Sequence, residues 1–123
     1  MTDAVFVNFS NHPSAMWSKA QLAAAEAVGR VEDEPFPDVP ADLDEAGIAL
    51  LAEEATRRIL ARNPAAVLCQ GEFSLAFAVT ERLKEKGVRV LAAASDRVIS
   101  EKFDANGTLE KTSVFRFVRF RQY

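Results

Sequence analysis

The alternation of apolar and polar residues along the chain changes period several times, and each change marks an element. Val5-Phe6-Val7-Asn8-Phe9 is β-branched and aromatic and ends in the turn formers of Ser10 to Pro13, which predicts a first strand. Ser18-Lys19-Ala20-Gln21 has the form of a capping box, and the Ala-rich segment behind it predicts a helix to Val28, stopped by Gly29. Arg30 to Phe36 predicts a short second strand. The proline-spaced PFPDVPADLDE is irregular until Pro40 has passed. Asp42 or Asp44 then caps a helix whose Ile48, Leu51, Ala52, Ala55 and Ile59 form one apolar stripe, ending near Asn63-Pro64. Ala65 to Cys69 is an unbroken apolar run, as a central strand covered on both faces requires. From Ser74 the positions Ala76, Val79 and Leu83 give a further helix closed by Gly87, and VRVLAAAS predicts a fourth strand.

Behind that strand the pattern is different. Asn106-Gly107 stands between two strand-like runs, the sequence of a type I′ hairpin turn. Phe115 and Phe117 share one parity, Val118 and Phe120 the other, so either both faces are covered or a bulge flips the register near Val118. The expected fold is α/β: a Rossmann-like three-layer arrangement, a mostly parallel sheet with helices on both faces and a C-terminal antiparallel β-hairpin.

Composition narrows the setting. A chain of 123 residues with 49% hydrophobic and 27% charged residues fits a single globular domain, 1–123. No window is long and apolar enough for a membrane span and no leader opens the chain, so a cytoplasmic protein with no membrane partner is expected. The lone Cys69 reads as a small core residue. A net charge of −3 argues against duplex DNA as a partner. The acids from Glu32 to Glu54 stand unopposed, whereas Arg97, Lys102, Lys111, Arg116, Arg119 and Arg121 outnumber the acids near the C-terminus. Those cations form either an anion-holding surface or a solvated sheet edge.

In an open parallel sheet, ligands sit beyond the carboxyl ends of the strands. Three polar segments are expected there: Ser10-Asn11-His12-Pro13-Ser14, Gln70-Gly71-Glu72-Phe73-Ser74 and Ser95-Asp96-Arg97. His12 and Trp17 sit in or beside the first, where they serve a ligand or, alternatively, cap a turn and cover the first helix. Gly71 lets a ligand approach the backbone, and Ser74 is placed to cap the third helix. There is no GxGxxG, Walker or GxSxG sequence. Arg97, with the Ser95 hydroxyl near it, suits a phosphate, or else pairs with Asp96 or an acid of the hairpin. No His, Cys, Asp or Glu set has metal-ligand spacing, so a site without metal or cofactor is expected.

VNFSNHPS, with the glycine-containing loop after the third strand and the terminal hairpin, resembles the strand-one segment and element order of small CRISPR-associated Rossmann fold (CARF) proteins, among them the ring nucleases. The resemblance implies a homodimer binding a cyclic oligoadenylate at a strand-end pocket made by both copies. It further implies metal-independent ring cleavage, a ribose 2′-hydroxyl attacking the adjacent phosphate and leaving a 2′,3′-cyclic phosphate, which ends type III CRISPR signalling. On that expectation His12 is the general acid or base and Arg97, with Ser10 and the first-loop backbone, faces the phosphate. Asn11 and Ser14 complete the first loop. Gln70, Glu72 and Ser74 meet ribose or adenine edges, and Trp17 or Phe73 stacks on a base. Three other expectations stand beside it: a protein that only binds or sequesters such a ligand, a small enzyme acting on another phosphorylated metabolite, and a structural partner in a larger complex.

Overall fold

In the computed structural model, which describes residues 3–123, the chain runs β1 (Val5–Phe9), α1 (Lys19–Glu26), β2 (Arg30–Asp33), α2 (Glu45–Ala61), β3 (Pro64–Cys69), α3 (Phe73–Glu85), β4 (Val90–Phe103) and β5 (Leu109–Gln122). Residues 1 and 2 of the expected 1–123 domain lie outside the described residues. One sheet has the order β2-β1-β3-β4-β5. β1 is parallel to β2 and β3, and β3 is parallel to β4; β5 alone is antiparallel, against β4. The α/β class and the mostly parallel sheet are as the alternation of elements predicts.

β1 is buried at every position, and its pleat divides it between two core clusters. Val5, Val7 and Phe9 pack with Ala55 and Ile59 of α2 and with Leu75 and Val79 of α3. Phe6 packs instead with Ala25 of α1, Leu68 and Trp17. Gly29 brings the chain out of α1 against β1, so closely that a Cβ there would lie 2.7 Å from the Ala4 carbonyl carbon. Among the described residues, no helix is long and apolar enough to cross a membrane.

Five local expectations are corrected. β2 ends at Asp33 rather than Phe36: after Glu34 N donates to Asn8 O, Pro35 has no N–H to continue the ladder. Phe36 leaves the strand and turns inward onto Phe9, ring centroids 4.7 Å apart. The acids after Glu32 are not unopposed, because Arg62 holds Glu32 at 2.8 Å and Glu34 at 3.3 Å while Arg58 approaches Glu34 at 3.5 Å. The α3 cap is Glu72, not Ser74; its carboxylate accepts from the backbone N–H groups of Ser74 and Leu75, each at 2.9 Å. The hairpin turn is not type I′, since Gly107 has a φ of 77° but Asn106 is not in the positive range. Asp104 Oδ1 accepts from Asn106 N and Thr108 N instead, which closes a three-residue loop with glycine in the left-handed position.

The fifth correction changes the shape. The fourth strand does not stop at Ser95; β4 and β5 are continuous strands of 14 residues each, paired from Leu91↔Gln122 to Phe103↔Leu109. The register slips between Ala94 and Ser95, where β5 passes from Arg119 to Phe117 and leaves Val118 as the extra residue. That bulge, one of the two alternatives expected near Val118, puts Phe115, Phe117 and Phe120 on one face. β3 pairs with β4 only through Val90 and Leu91, so beyond the bulge the hairpin runs on as a two-stranded arm.

Candidate functional site

β1 and β3 are neighbours, yet the chain leaving β1 proceeds to β2 on one side and the chain leaving β3 proceeds to β4 on the other. Such divergence opens a crevice at the carboxyl ends of the two strands. A cleft of about 660 Å³ occupies it, within the roughly 300–1,000 Å³ typical of small-molecule sites. Ser10, Asn11 and His12 reach it from the end of β1, Gln70 and Gly71 from the end of β3, and Ser95 from β4.

The first loop is held from below by Asn8, the one polar residue of β1, which is 1% exposed. Its Nδ2 donates to His12 O and to Asp33 Oδ1, both at 2.9 Å, and its Oδ1 accepts from Ser10 Oγ at 2.6 Å. Trp17 Nε1 donates to the same His12 carbonyl at 3.1 Å. The His12 backbone is therefore fixed at two donors while its side chain is exposed at the cleft. Trp17 both covers the core and walls the cleft: it meets Phe6 edge-on, centroids 6.2 Å apart, and is buried.

On the opposite wall, Gln70 Oε1 accepts from Ala93 N at 3.0 Å, which bridges β3 to β4 and leaves the amide NH₂ unused in that bond. Gly71 has a packing reason to be glycine, since a Cβ would lie 2.6 Å from the Phe36 ring. The remaining expected residues do not line the cleft. Ser14 is engaged with Asp33, to which its Oγ donates at 3.1 Å. Glu72 is spent on the α3 cap, and those two N–H donors hold its carboxyl below its ordinary value. Phe73 and Ser74 are exposed on the first turn of α3. Arg97 lies within β4, where its Nε donates to Ser113 Oγ at 2.8 Å.

Several lining residues lay outside the sequence reading. Ser18 and Gln21, the first turn of α1, border the cleft, as do Met16 and the rings of Phe115 and Phe117 from the arm. Asn8 carried a usable signal, a lone amide in an otherwise apolar strand. The lining is rich in hydroxyls, amides and aromatic faces and, among the described residues, contains no Lys or Arg. Such a surface can hydrogen-bond to and stack on a polar aromatic group, and His12 presents its imidazole there. Elsewhere, burial pushes the Cys69 thiol up to about 11, which makes it an inert core group. Among the described residues, no group of three or more His, Cys, Asp or Glu side chains is placed to hold a metal ion.

Residues 4–121 match a family described as "Uncharacterized protein MJ1673 family". No curated protein matches the chain.

Proposed function

The chain belongs to the MJ1673 family, and from that premise and the cleft at the β1/β3 crevice we propose that it is a CARF-like, Rossmann-like domain that binds a cyclic oligoadenylate and opens the ring. The observation that carries this reading is the convergence of His12, Ser10, Gln70 and Ser95 from three separate segments on one cleft. Adenine stacks against the aromatic wall that includes Trp17 and Phe117. The amides of Asn11, Gln21 and Gln70 meet base and ribose edges. Two copies form the complete site in the cytoplasm, and ring opening switches off type III CRISPR signalling.

Opening needs no cofactor. The ribose 2′-oxygen attacks the adjacent phosphorus, the bond from phosphorus to the 5′-oxygen breaks, and a 2′,3′-cyclic phosphate and a 5′-hydroxyl result. One proton leaves the 2′-hydroxyl and one reaches the departing 5′-oxygen. His12 serves one of these transfers, a role worth roughly 10²- to 10⁴-fold in rate. Labelled cyclic tetra-adenylate incubated with excess protein should give linear product ending in a cyclic phosphate, and His12→Ala should lose cleavage while retaining binding.

A second reading is favoured by one specific observation, the absence of any Lys or Arg from the cleft lining. A site that stabilises a phosphorane ordinarily places a cation there. Tight binding with intact ring recovered after long incubation assigns the protein to sequestration instead. Release of a different phosphorylated compound from the purified protein, identified by mass spectrometry, overturns both readings.

A further inference from the structure

The arm beyond the bulge has two unlike faces. On one, Ser95, Arg97, Ile99, Glu101 and Phe103 of β4 lie opposite Phe117, Phe115, Ser113, Lys111 and Leu109 of β5. The other carries Asp96 paired with Arg116, the smaller apolar pair Val98 and Val114, Ser100 opposite Thr112, and Lys102 opposite Glu110. The first face is therefore apolar at its base and tip, and it is uncovered: Phe103 is 74% exposed, Phe115 73% and Ile99 59%. A lone two-stranded ribbon is marginal in water, so an arm of this kind needs a second surface.

We propose that the occupant of this face is the same face of a second copy, packed antiparallel about a two-fold axis at Ile99 and Ser113. Self-complementarity carries the choice. With the axis there, the residues two positions either side exchange, so Arg97 meets the partner's Glu101 and Phe115 meets the aliphatic stem of the partner's Lys111. Two positions further, Phe117 meets the partner's Leu109, and Ser95 meets the partner's Phe103. Arg97 and Glu101 join opposite charges, beside the Glu101–Lys111 pair of 3.7 Å within each copy, Phe117 and Leu109 join apolar groups, and no like charges are directly opposed.

The area is adequate as well. With roughly 150–250 Å² per aromatic side chain, this face presents on the order of 500 Å² of apolar surface per copy. Strand backbone and polar rims bring the contact toward the roughly 800 Å² per partner of a specific complex. Interfaces of that size associate at micromolar concentration or below.

The register has a consequence at the cleft, and that consequence rests on the reading proposed above. Ser95, Phe115 and Phe117 line the cleft, and they are the levels that meet the partner's Phe103, Lys111 and Leu109. The partner's arm tip thus roofs the cleft, and its Lys111 brings a cation to a lining that has none of its own.

Sedimentation of the ligand-free full chain tests the pairing. The wild type should be a dimer across the micromolar range and Ile99→Asp a monomer with an unchanged Tm at low concentration. Arg97→Glu and Glu101→Arg should each weaken the dimer at least tenfold, and the double exchange should restore it. Ile99→Cys should be joined between copies by a short bis-maleimide crosslinker, which spans the roughly 10 Å between packed sheets, whereas Val98→Cys, on the other face, should not. A monomeric wild type, a dimer indifferent to Ile99→Asp, or a double exchange that restores nothing overturns the proposal. A dimer that passes these tests but does not bind cyclic tetra-adenylate leaves the pairing standing and removes the functional reading; binding by a monomeric wild type does the reverse.

Discussion

The body of the sheet and the arm are built from the same kind of sequence and end in opposite environments. In β1, alternate residues enter two different core clusters, and Phe6 and Phe9 are both fully buried. In the distal half of β4 and β5 the alternation is as regular, yet Phe103 and Phe115 stand mostly in solvent. A period of two states that a segment is a strand and which residues share a face. It does not state what covers that face. In the body, α1, α2 and α3 are supplied by the same chain, within reach of short connections. The arm passes beyond β3 after Leu91 and extends about 40 Å to Phe103 at about 3.3 Å per residue, further than any helix of the chain accompanies it.

The sharpest way to break the comparison is to truncate one aromatic in each region. Phe9→Ala leaves a cavity between β1, α2 and α3 and should cost about 3–5 kcal/mol in urea unfolding. Phe103→Ala, measured at dilute protein where arms are unpaired, should stay within about 0.5 kcal/mol. Equal costs would mean that the arm folds back on its own body, and the distinction between the two regions would vanish.

The next contrast concerns polar groups. Asn8 is buried with three hydrogen bonds to the first loop and to Asp33, whereas the Arg97–Ser113 bond lies on an exposed ribbon. Asn8→Ala should cost about 1–3 kcal/mol, because it strands a buried acceptor and donor set. It should also raise amide exchange in Ser10 to Ser14. Ser113→Ala should do neither at dilute concentration.

How much of this was legible in the sequence follows the same division. The three helices alternating with the four strands of the body and the Ser18 cap were readable, and the Asp44 cap and the bulge near Val118 were each one of two expected alternatives, because each depends on local spacing or on one side chain. The first loop and the Gln70 turn border one cleft, since strand ends in a parallel sheet share an edge. Ser95-Asp96-Arg97 was not readable: three polar residues look like a loop, yet an exposed strand tolerates them, and only the pairing with β5 distinguishes the two. Glu72 and Ser14 misled for another reason. Each has the chemistry of a ligand-binding group but is already committed to backbone or to Asp33. A sequence shows what a side chain can bond, not which partner reaches it first.

Ion pairs give a smaller difference. Arg62 ties Glu34, 8% exposed, to the end of α2, and Arg62→Ala should cost about 1–2 kcal/mol by leaving that carboxylate with Arg58 alone. In the arm, Asp96 and Arg116 are 3.8 Å apart and both well exposed, so Asp96→Asn should change stability by less than about 0.5 kcal/mol. A salt titration sharpens the contrast, because the exposed pair is screened and the half-buried one is screened much less.

Acid separates the two regions by the least. The Glu72 carboxyl, accepting from Leu75 N and Ser74 N, lies below its ordinary value of 4.5 in the fold. Its contribution is therefore present in full above about pH 4.5 and is lost as pH falls through the lower, folded value. Glu72→Gln should lower Tm at neutral pH, and the difference from the wild type should shrink as the pH falls through the lowered, folded value, so that the two Tm curves converge on the acid side. Asp96, in the arm, caps no helix, and Asp96→Asn removes only its exposed pairing with Arg116. Parallel curves for Glu72→Gln would assign its loss to packing at the start of α3, and would leave acid sensitivity in the body to Glu32, which Arg30 and Arg62 likewise hold below its usual range.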